Sequence, residues 1–369
     1  VILIFIQILF FSLSYSTPQS EVSQYGITWY FDGEYEVGQF ANGDWWVVGP
    51  VTIIRITPDF DGSHHGWEIN PHTTSEQGFD RRIYNFQDSL IPDLPVVVSP
   101  LASIVKSISV DTSQSSCRPC LRTAAVLTVV SEIPIDSGKS LFRPPYFGDE
   151  KPLYSVNDLY TELLPSLTSP GNVSDINEMA SRFQRVQLDH KVGWTGRAMH
   201  PEDNLPDYGS SIAIRNAEGA LRLMLDDPLE DKMALLVYYV QYGIDLYYML
   251  KGGLTWPPSG GHEVGRKLPI TFAAVILNDE EMKKAVREAT DDIFDENGSI
   301  YQGKNGQVLY GQSLFSEESY WRNLIYDTGS RTQRDPYGYI DGGHRPGGSY
   351  QYCCLSQPVS YTHLTLPTN

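Results

Sequence analysis

Three short segments of the chain hold most of the residues able to do chemistry. The first, Arg182–His200, carries Arg182, Arg185, Asp189, His190, Lys191, Trp194, Arg197 and His200. It is a basic island in a chain whose formal net charge is -18. Such an island suits an anionic ligand held by charge-assisted hydrogen bonds from arginine. A surface loop paired with nearby acids accounts for the same charges equally well. Trp194, between Gly193 and Thr195, offers a ring on which a sugar could stack. The second segment, Asn204–Ser210, places Tyr208 directly before a helix, where it can act as a general acid or base if a cation lowers its pKa from about 10. Asp207 and Ser210 read there as helix caps. Beyond them Arg215, Glu218 and Arg222 share a helix face, with Asn216 one position off it.

The third segment is Gly260-Gly261-His262-Glu263-Val264-Gly265-Arg266-Lys267. Its glycines let backbone approach a ligand closely, and His262, Arg266 and Lys267 open a helix, where anions bind. No strand precedes it and the spacing is not that of a phosphate loop. His190, His200 and His262 lack the His-Glu-x-x-His spacing of a zinc site, so no metal and no other cofactor is expected. The chain has no Gly-x-Ser-x-Gly elbow, which disfavours serine-hydrolase chemistry.

The elements that must position these residues are helices. The pattern predicts them at about Val156–Leu164, Asp175–Phe183, Ile212–Leu225, Leu229–Leu250, from Lys267 or Leu268 to about Leu277, and Glu280–Ile293. Pro269 is tolerated only in a first turn, which fixes the start of the fifth. Asn278 or Asp279 can cap the sixth. The Leu229–Leu250 helix is apolar nearly all round, the mark of a buried helix. One stripe breaks the pattern: Tyr238, Gln241, Asp245 and Tyr248 share a face. It faces either a hydrogen-bonded core network or a water-filled cleft, since buried polar groups need partners in both cases.

The N-terminal part has a different texture. Ile27–Phe40 and Trp45–Ile56 are rich in aromatic and β-branched residues around Asn42-Gly43, a type I′ hairpin signal. Further strands are expected at Pro95–Ser99, Ser103–Val110 and Arg122–Ser131. Several strands without intervening helices indicate an antiparallel β-sandwich-like unit. Trp45, Trp46, Trp67 and Tyr30 form either a sugar-stacking platform or, more in keeping with such residues, sandwich core. Leu141–Pro152 is proline-rich and aperiodic and reads as a linker. The expected layout is therefore a β-rich domain at 25–140, a linker at 141–152, and an incomplete α/α bundle or toroid at 153–357, in which 301–352 form long loops.

Composition and the two ends bound the setting. Net charge -18 and pI near 4.8 argue against nucleic acid as a partner. The apolar run from Val1 to Phe11, followed by Ser14 and Ser16, reads as a truncated secretory signal at residues 1–16, too short for a membrane span. A secreted or periplasmic protein, free of the membrane once the signal is cleaved, is expected. Among four cysteines, Cys117 and Cys120 read as a local disulfide or two unpaired thiols, while Cys353 and Cys354 cannot readily bridge each other. Asn172-Val173-Ser174 and Asn297-Gly298-Ser299 are glycosylation sequons that would mark surface loops. The stretch Pro358–Thr368 resembles the translation of a sequencing-library adaptor, which implies an environmental gene fragment with an adaptor-derived tail at 358–369.

A secretory signal, β structure, helices, and His, Tyr, Arg and Asn near helix ends together resemble secreted carbohydrate-active enzymes. The architecture is similar to that of polysaccharide lyases with (α/α) toroids, of the alginate and heparinase type. In that class β structure usually follows the helices, here it precedes them, and no family motif matches residue by residue. The resemblance implies β-elimination on an extracellular, anionic, uronate-containing polysaccharide. Tyr208 or His190 would be base and acid, and His262 with Arg266 would clamp the carboxylate. Arg197, Trp194 and Asn216 would bind substrate, with Tyr238, Gln241, Asp245 and Tyr248 lining the cleft. The alternatives are a glycoside hydrolase using carboxylates such as Asp207, Asp245 or Glu263, and a non-catalytic glycan-binding or structural protein.

Overall fold

The computed structural model describes residues 18–111, 117–257, 259, 261–290, 292–298, 300–302 and 308–310, with backbone alone for 298 and the last two stretches. The expected signal, most of 301–352, the Cys353-Cys354 pair and the expected tail lie outside the described residues. β structure comes first and helices follow, as the change of texture predicts.

One sheet is antiparallel and four-stranded. It orders β1 (Gln19–Gln24), β2 (Ile27–Tyr35), β5 (Val51–Thr57) and β7 (Val96–Val98) side by side. The second has five strands in the order β3 (Val37–Gln39), β4 (Trp45–Val48), β9 (Leu121–Val130), β8 (Ala102–Ser109) and β6 (Trp67–Ile69). It is mixed, because β4 runs parallel to β9. Two short strands, β10 (Ile300–Gln302) and β11 (Val308–Tyr310), pair antiparallel further on. The β3–β4 turn differs from the type I′ expectation. Only Gly43 has positive φ, at 88°, and Gly43 N–H donates to Phe40 C=O. A type I turn closed by a left-handed glycine gives a three-residue loop, and Asn42 serves instead as a side-chain partner of Asp44.

Alternation along the strands decides what each sheet faces. Ile27, Trp29 and Phe31 point into a core shared with Val47, Ile104, Ala125, Leu127 and Val129 of the second sheet. Trp67 joins that core and Trp46 is equally buried, so these two are interior, whereas Trp45 and Tyr30 are half-buried. The opposite side chains of the second sheet, Val105, Ala124 and Val126, belong to the core formed with the helices. Covered on both faces, β9 is buried along its length except at Arg122. The change of texture near residue 141 thus marks a change of layer, with the core continuous across it.

The proline-rich stretch read as a linker is buried where it crosses that boundary: Leu141, Phe142, Arg143, Tyr146 and Phe147 are all interior. Arg143 donates from Nε to Asp44 at 2.6 Å and from Nη1 and Nη2 to Asp245 at 3.1 and 2.5 Å. One guanidinium so joins the β3–β4 turn to the central helix.

Seven helices are described: α1 (Ile176–Ser181), α2 (Gly193–Met199), α3 (Gly209–Leu223), α4 (Leu229–Lys251), α5 (Lys267–Ile276), α6 (Glu280–Glu288) and α7 (Asp295–Gly298). α4 is buried almost all round and packs against α1, α3 and α5. Asp175 and Asp279 cap α1 and α6 with their side chains, and Pro269 lies in the first turn of α5. The helix expected at Val156–Leu164 is two separate 3-10 turns, Val156–Asp158 and Thr161–Leu163. Tyr160 N–H is drawn to Ile276 C=O at 2.8 Å, which takes the chain out of helical hydrogen bonding between them. α6 stops at Glu288 rather than Ile293, and the Asn297 amide takes up the carbonyls of Ala289 and Thr290. Among the described residues no helix is long and apolar enough to cross a membrane. Asn172-Val173-Ser174 is exposed, as a sequon requires.

Candidate functional site

The three chemically rich segments meet at one end of α3. Ser210 N–H, at the start of that helix, donates to Gly261 C=O at 2.9 Å. Gly209 permits the approach: a Cβ there would lie 2.1 Å from the His262 carbonyl oxygen. Gly209→Ala is therefore expected to force the loops apart, at a cost of about 1–3 kcal/mol. A thermal midpoint unchanged in the variant would show that the contact is not required.

On this shared edge the His262 ring lies 5.0 Å from Tyr208, edge to face, and 5.1 Å from Trp194. The Arg197 guanidinium sits over both neighbouring rings, 4.9 Å from the centroid of Tyr208 and 5.0 Å from that of Trp194. Arg197 is held by Asp207, whose Oδ2 is 2.7 Å from both Nε and Nη2. A second guanidinium, Arg118, stands 4.3 Å from the Trp194 centroid. Trp194 is 59% exposed and His262, Tyr208, Arg197 and Asp207 are half-buried, so the cluster is open to a ligand. Burial, reinforced by Arg197 and Arg266, pushes the His262 imidazole below its ordinary value, and it is neutral at neutral pH. Its Nδ1 has no hydrogen-bond partner among the described residues.

Directly behind lies a buried ionic network. Asp189 accepts from Arg266 Nε at 2.8 Å and Nη2 at 3.1 Å, from His200 Nε2 at 2.9 Å and from the Tyr242 hydroxyl at 3.3 Å. Burial alone would raise the Asp189 carboxyl, but Arg266 and His200 carry it well below the usual carboxylate range. The network reaches forward at two points. His200 Nδ1 donates to Asp207 C=O at 2.9 Å, and Arg266 Nη1 donates to His262 C=O at 3.0 Å. Glu263 accepts from Gly193 N–H and so ties the glycine loop to the start of α2. Burial raises Glu263, and burial with the neighbouring Glu296 and Glu263 pushes Asp295 up to about 7.

Of the four residues expected to converge, Tyr208 and His262 do. Arg266 is adjacent but cannot clamp a substrate carboxylate: it is 1% exposed, and its donors are committed to Asp189 and to the carbonyls of His262 and Val264. His190 is fully enclosed by Phe79, Tyr146 and Phe147, with Nδ1 2.9 Å from the Tyr146 hydroxyl. Burial first, then Lys191, holds it well below its ordinary value. It is a neutral core residue. The α4 stripe is the core network rather than a cleft wall. Asp245 pairs with Arg143, Gln241 donates to Arg143 C=O, and the Tyr248 hydroxyl meets that of Tyr154 at 3.1 Å. Tyr238 is half-buried at the edge of the same core. Asn216 is interior and donates to Gly265 C=O at 2.8 Å, bracing the loop instead of binding substrate.

Arg197 and Trp194 keep their place in the site. Sequence reasoning missed Arg118. Its only signal is a lone arginine between two cysteines, which here form the Cys117–Cys120 disulfide. Among the described residues no cluster of three or more His, Cys, Asp or Glu is placed to hold a metal ion. No protein family, no curated protein and no solved structure matches the chain.

Proposed function

We propose that the protein is a polysaccharide-cleaving enzyme acting on uronate-containing glycans by β-elimination, with its site on the Trp194–Arg197–Tyr208–His262 face. The observation that carries the reading is the His262 imidazole, held edge to face against Tyr208 on an open surface and beside the Trp194 ring over which two guanidiniums sit. Elimination requires a base for the proton on C5, a cation for the carboxylate as negative charge develops there, and an acid for the leaving oxygen. His262 takes the C5 proton in this scheme, and Arg197 faces the carboxylate. The electron pair of the broken C–H bond forms the C4–C5 double bond as the C4–O bond breaks. Tyr208 gives its hydroxyl proton to the departing oxygen and is reprotonated from solvent.

The test is incubation with a panel of polyuronates, followed by the ultraviolet absorbance of the unsaturated product. His262→Ala is expected to lower kcat by roughly 10²–10⁴-fold, the usual contribution of a general acid or base. Tyr208→Phe should lower it comparably with the fold intact. Because His262 acts in its neutral form and its pKa is depressed, activity should hold as pH falls through 6.5 and decline only below it. Full activity in either variant removes that residue from the mechanism.

One observation favours a hydrolytic reading instead. Asp295, pushed up to about 7 by burial, is a carboxyl able to hold a proton near neutral pH, and burial also raises Glu263 on the glycine loop. New reducing ends without the unsaturated chromophore would select it.

A further inference from the structure

Resting on the reading of this face as a glycan site, we propose that Arg118 is a second anion-reading residue, so that the preferred ligand carries negative charge on neighbouring sugar units. Four observations converge on it. Arg118 is exposed and has no carboxylate partner among the described residues, whereas Arg197 is already half-neutralised by Asp207. Its position is nevertheless fixed. The Cys117–Cys120 disulfide closes the loop that bears it, and Cys120 N–H donates to Ala198 C=O at 2.7 Å, one residue beyond Arg197. The loop is therefore fastened to the helix that carries Trp194 and Arg197. Finally, Trp194 has one guanidinium at 4.3 Å and another at 5.0 Å from its centroid.

That geometry changes the part Trp194 plays. A tryptophan already engaged by two cations is a holder of charge, steadying both guanidiniums by cation–π attraction and limiting the side-chain freedom lost on binding. The protein's overall charge sharpens the requirement. A polyanion approaching a chain of net charge -18 is repelled beyond the contact zone, and salt screens that repulsion only past about 8 Å. Binding then depends on cations at the point of contact, and Arg118, which has no carboxylate partner among the described residues, is the stronger attractor of the two. Guanidinium also matches a carboxylate or sulfate in a bidentate manner that ammonium cannot.

The test is calorimetric titration of the whole protein with oligogalacturonate and with a neutral cello-oligosaccharide of equal length. Arg118→Gln should raise Kd for oligogalacturonate about tenfold, the scale of one charged hydrogen bond, and leave any neutral binding unchanged. Arg118→Lys should recover only part. As an exposed side chain, Arg118 can be replaced without disturbing the fold. Equal affinity of Arg118→Gln and the unaltered protein for oligogalacturonate overturns the proposal, as does failure of the unaltered protein to bind it. If binding depends on Arg118 but no elimination product forms, the anion site stands and the catalytic reading falls. If elimination proceeds with KM unchanged in Arg118→Gln, the reverse holds.

Discussion

Arg143→Leu is expected to destabilise the protein by about 3–5 kcal/mol, the range for breaking a buried ion pair from one side. That is a large part of the ~5–15 kcal/mol that holds a typical domain together. The guanidinium is 1% exposed and is shared between Asp44 and Asp245, both interior. Leucine fills the space but leaves two carboxylates in a low-dielectric core. Burial already raises the Asp245 carboxyl, and Arg143 is what draws it back down. In the variant it rises further. A carboxyl whose folded pKa exceeds its unfolded value of about 3.9 loses stability as pH climbs from that value through the folded one. The deficit of the variant should therefore be greatest at pH 7–8 and shrink toward pH 5, as read from urea unfolding followed by circular dichroism. Adding Asp245→Asn should recover part of the loss. A single variant as stable as the parent at pH 7.5 would mean the proline-rich stretch around Arg143 is held by its apolar residues alone.

The second large effect is expected at Asp189. Asp189→Ala leaves Arg266 charged, buried and without its carboxylate, again about 3–5 kcal/mol. Asp189→Asn preserves shape and removes charge, and it separates stability from function. Through His200 the carboxylate braces the Asp207–Tyr208 backbone, and through Arg266 it braces the carbonyl of His262. If Tyr208 and His262 work together, loosening both supports should reduce kcat far more than it raises KM. The pH dependence has a definite sign. With its folded pKa depressed, Asp189 contributes fully above the unfolded value of about 3.9, and that contribution disappears as pH falls below it. The unaltered protein should lose stability steeply below pH 4, and Asp189→Asn should show a shallower decline. Equal acid sensitivity of the two would place the acid-labile interaction elsewhere.

Particular residues explain how far the sequence could be followed. α4 was legible because apolar residues on every side leave a helix nowhere to be but inside. β9 and α5 were legible for equally local reasons: β-branched density in one, a proline confined to a first turn in the other. The polar stripe of α4 was legible as a stripe but not as to what it meets. A network and a wet cleft ask for the same side chains, and the choice depended on Arg143, about a hundred positions earlier. Arg266 and Tyr208 look alike as loop residues near a helix start. The difference is that the partner of Arg266 is Asp189, 77 positions away in sequence, which turns the guanidinium inward. Arg118 was hidden for a similar reason, since its importance comes from Trp194 on a different layer of the fold. Val156–Leu164 had helical composition, and only the tertiary hydrogen bond from Tyr160 to Ile276 undoes it.

The placement of the tryptophans has an optical consequence. Trp29, Trp46, Trp67 and Trp256 are at most 2% exposed, and Trp45 is half-buried on β4. Indoles shut away from water emit toward the blue and are shielded from dissolved quenchers. Trp194 is the reverse, open to solvent and within reach of two guanidiniums and an imidazole that a bound polyanion would engage. Among the described tryptophans, the red edge of the emission and most of what iodide can extinguish therefore report on the candidate site, while the buried indoles supply a steady background.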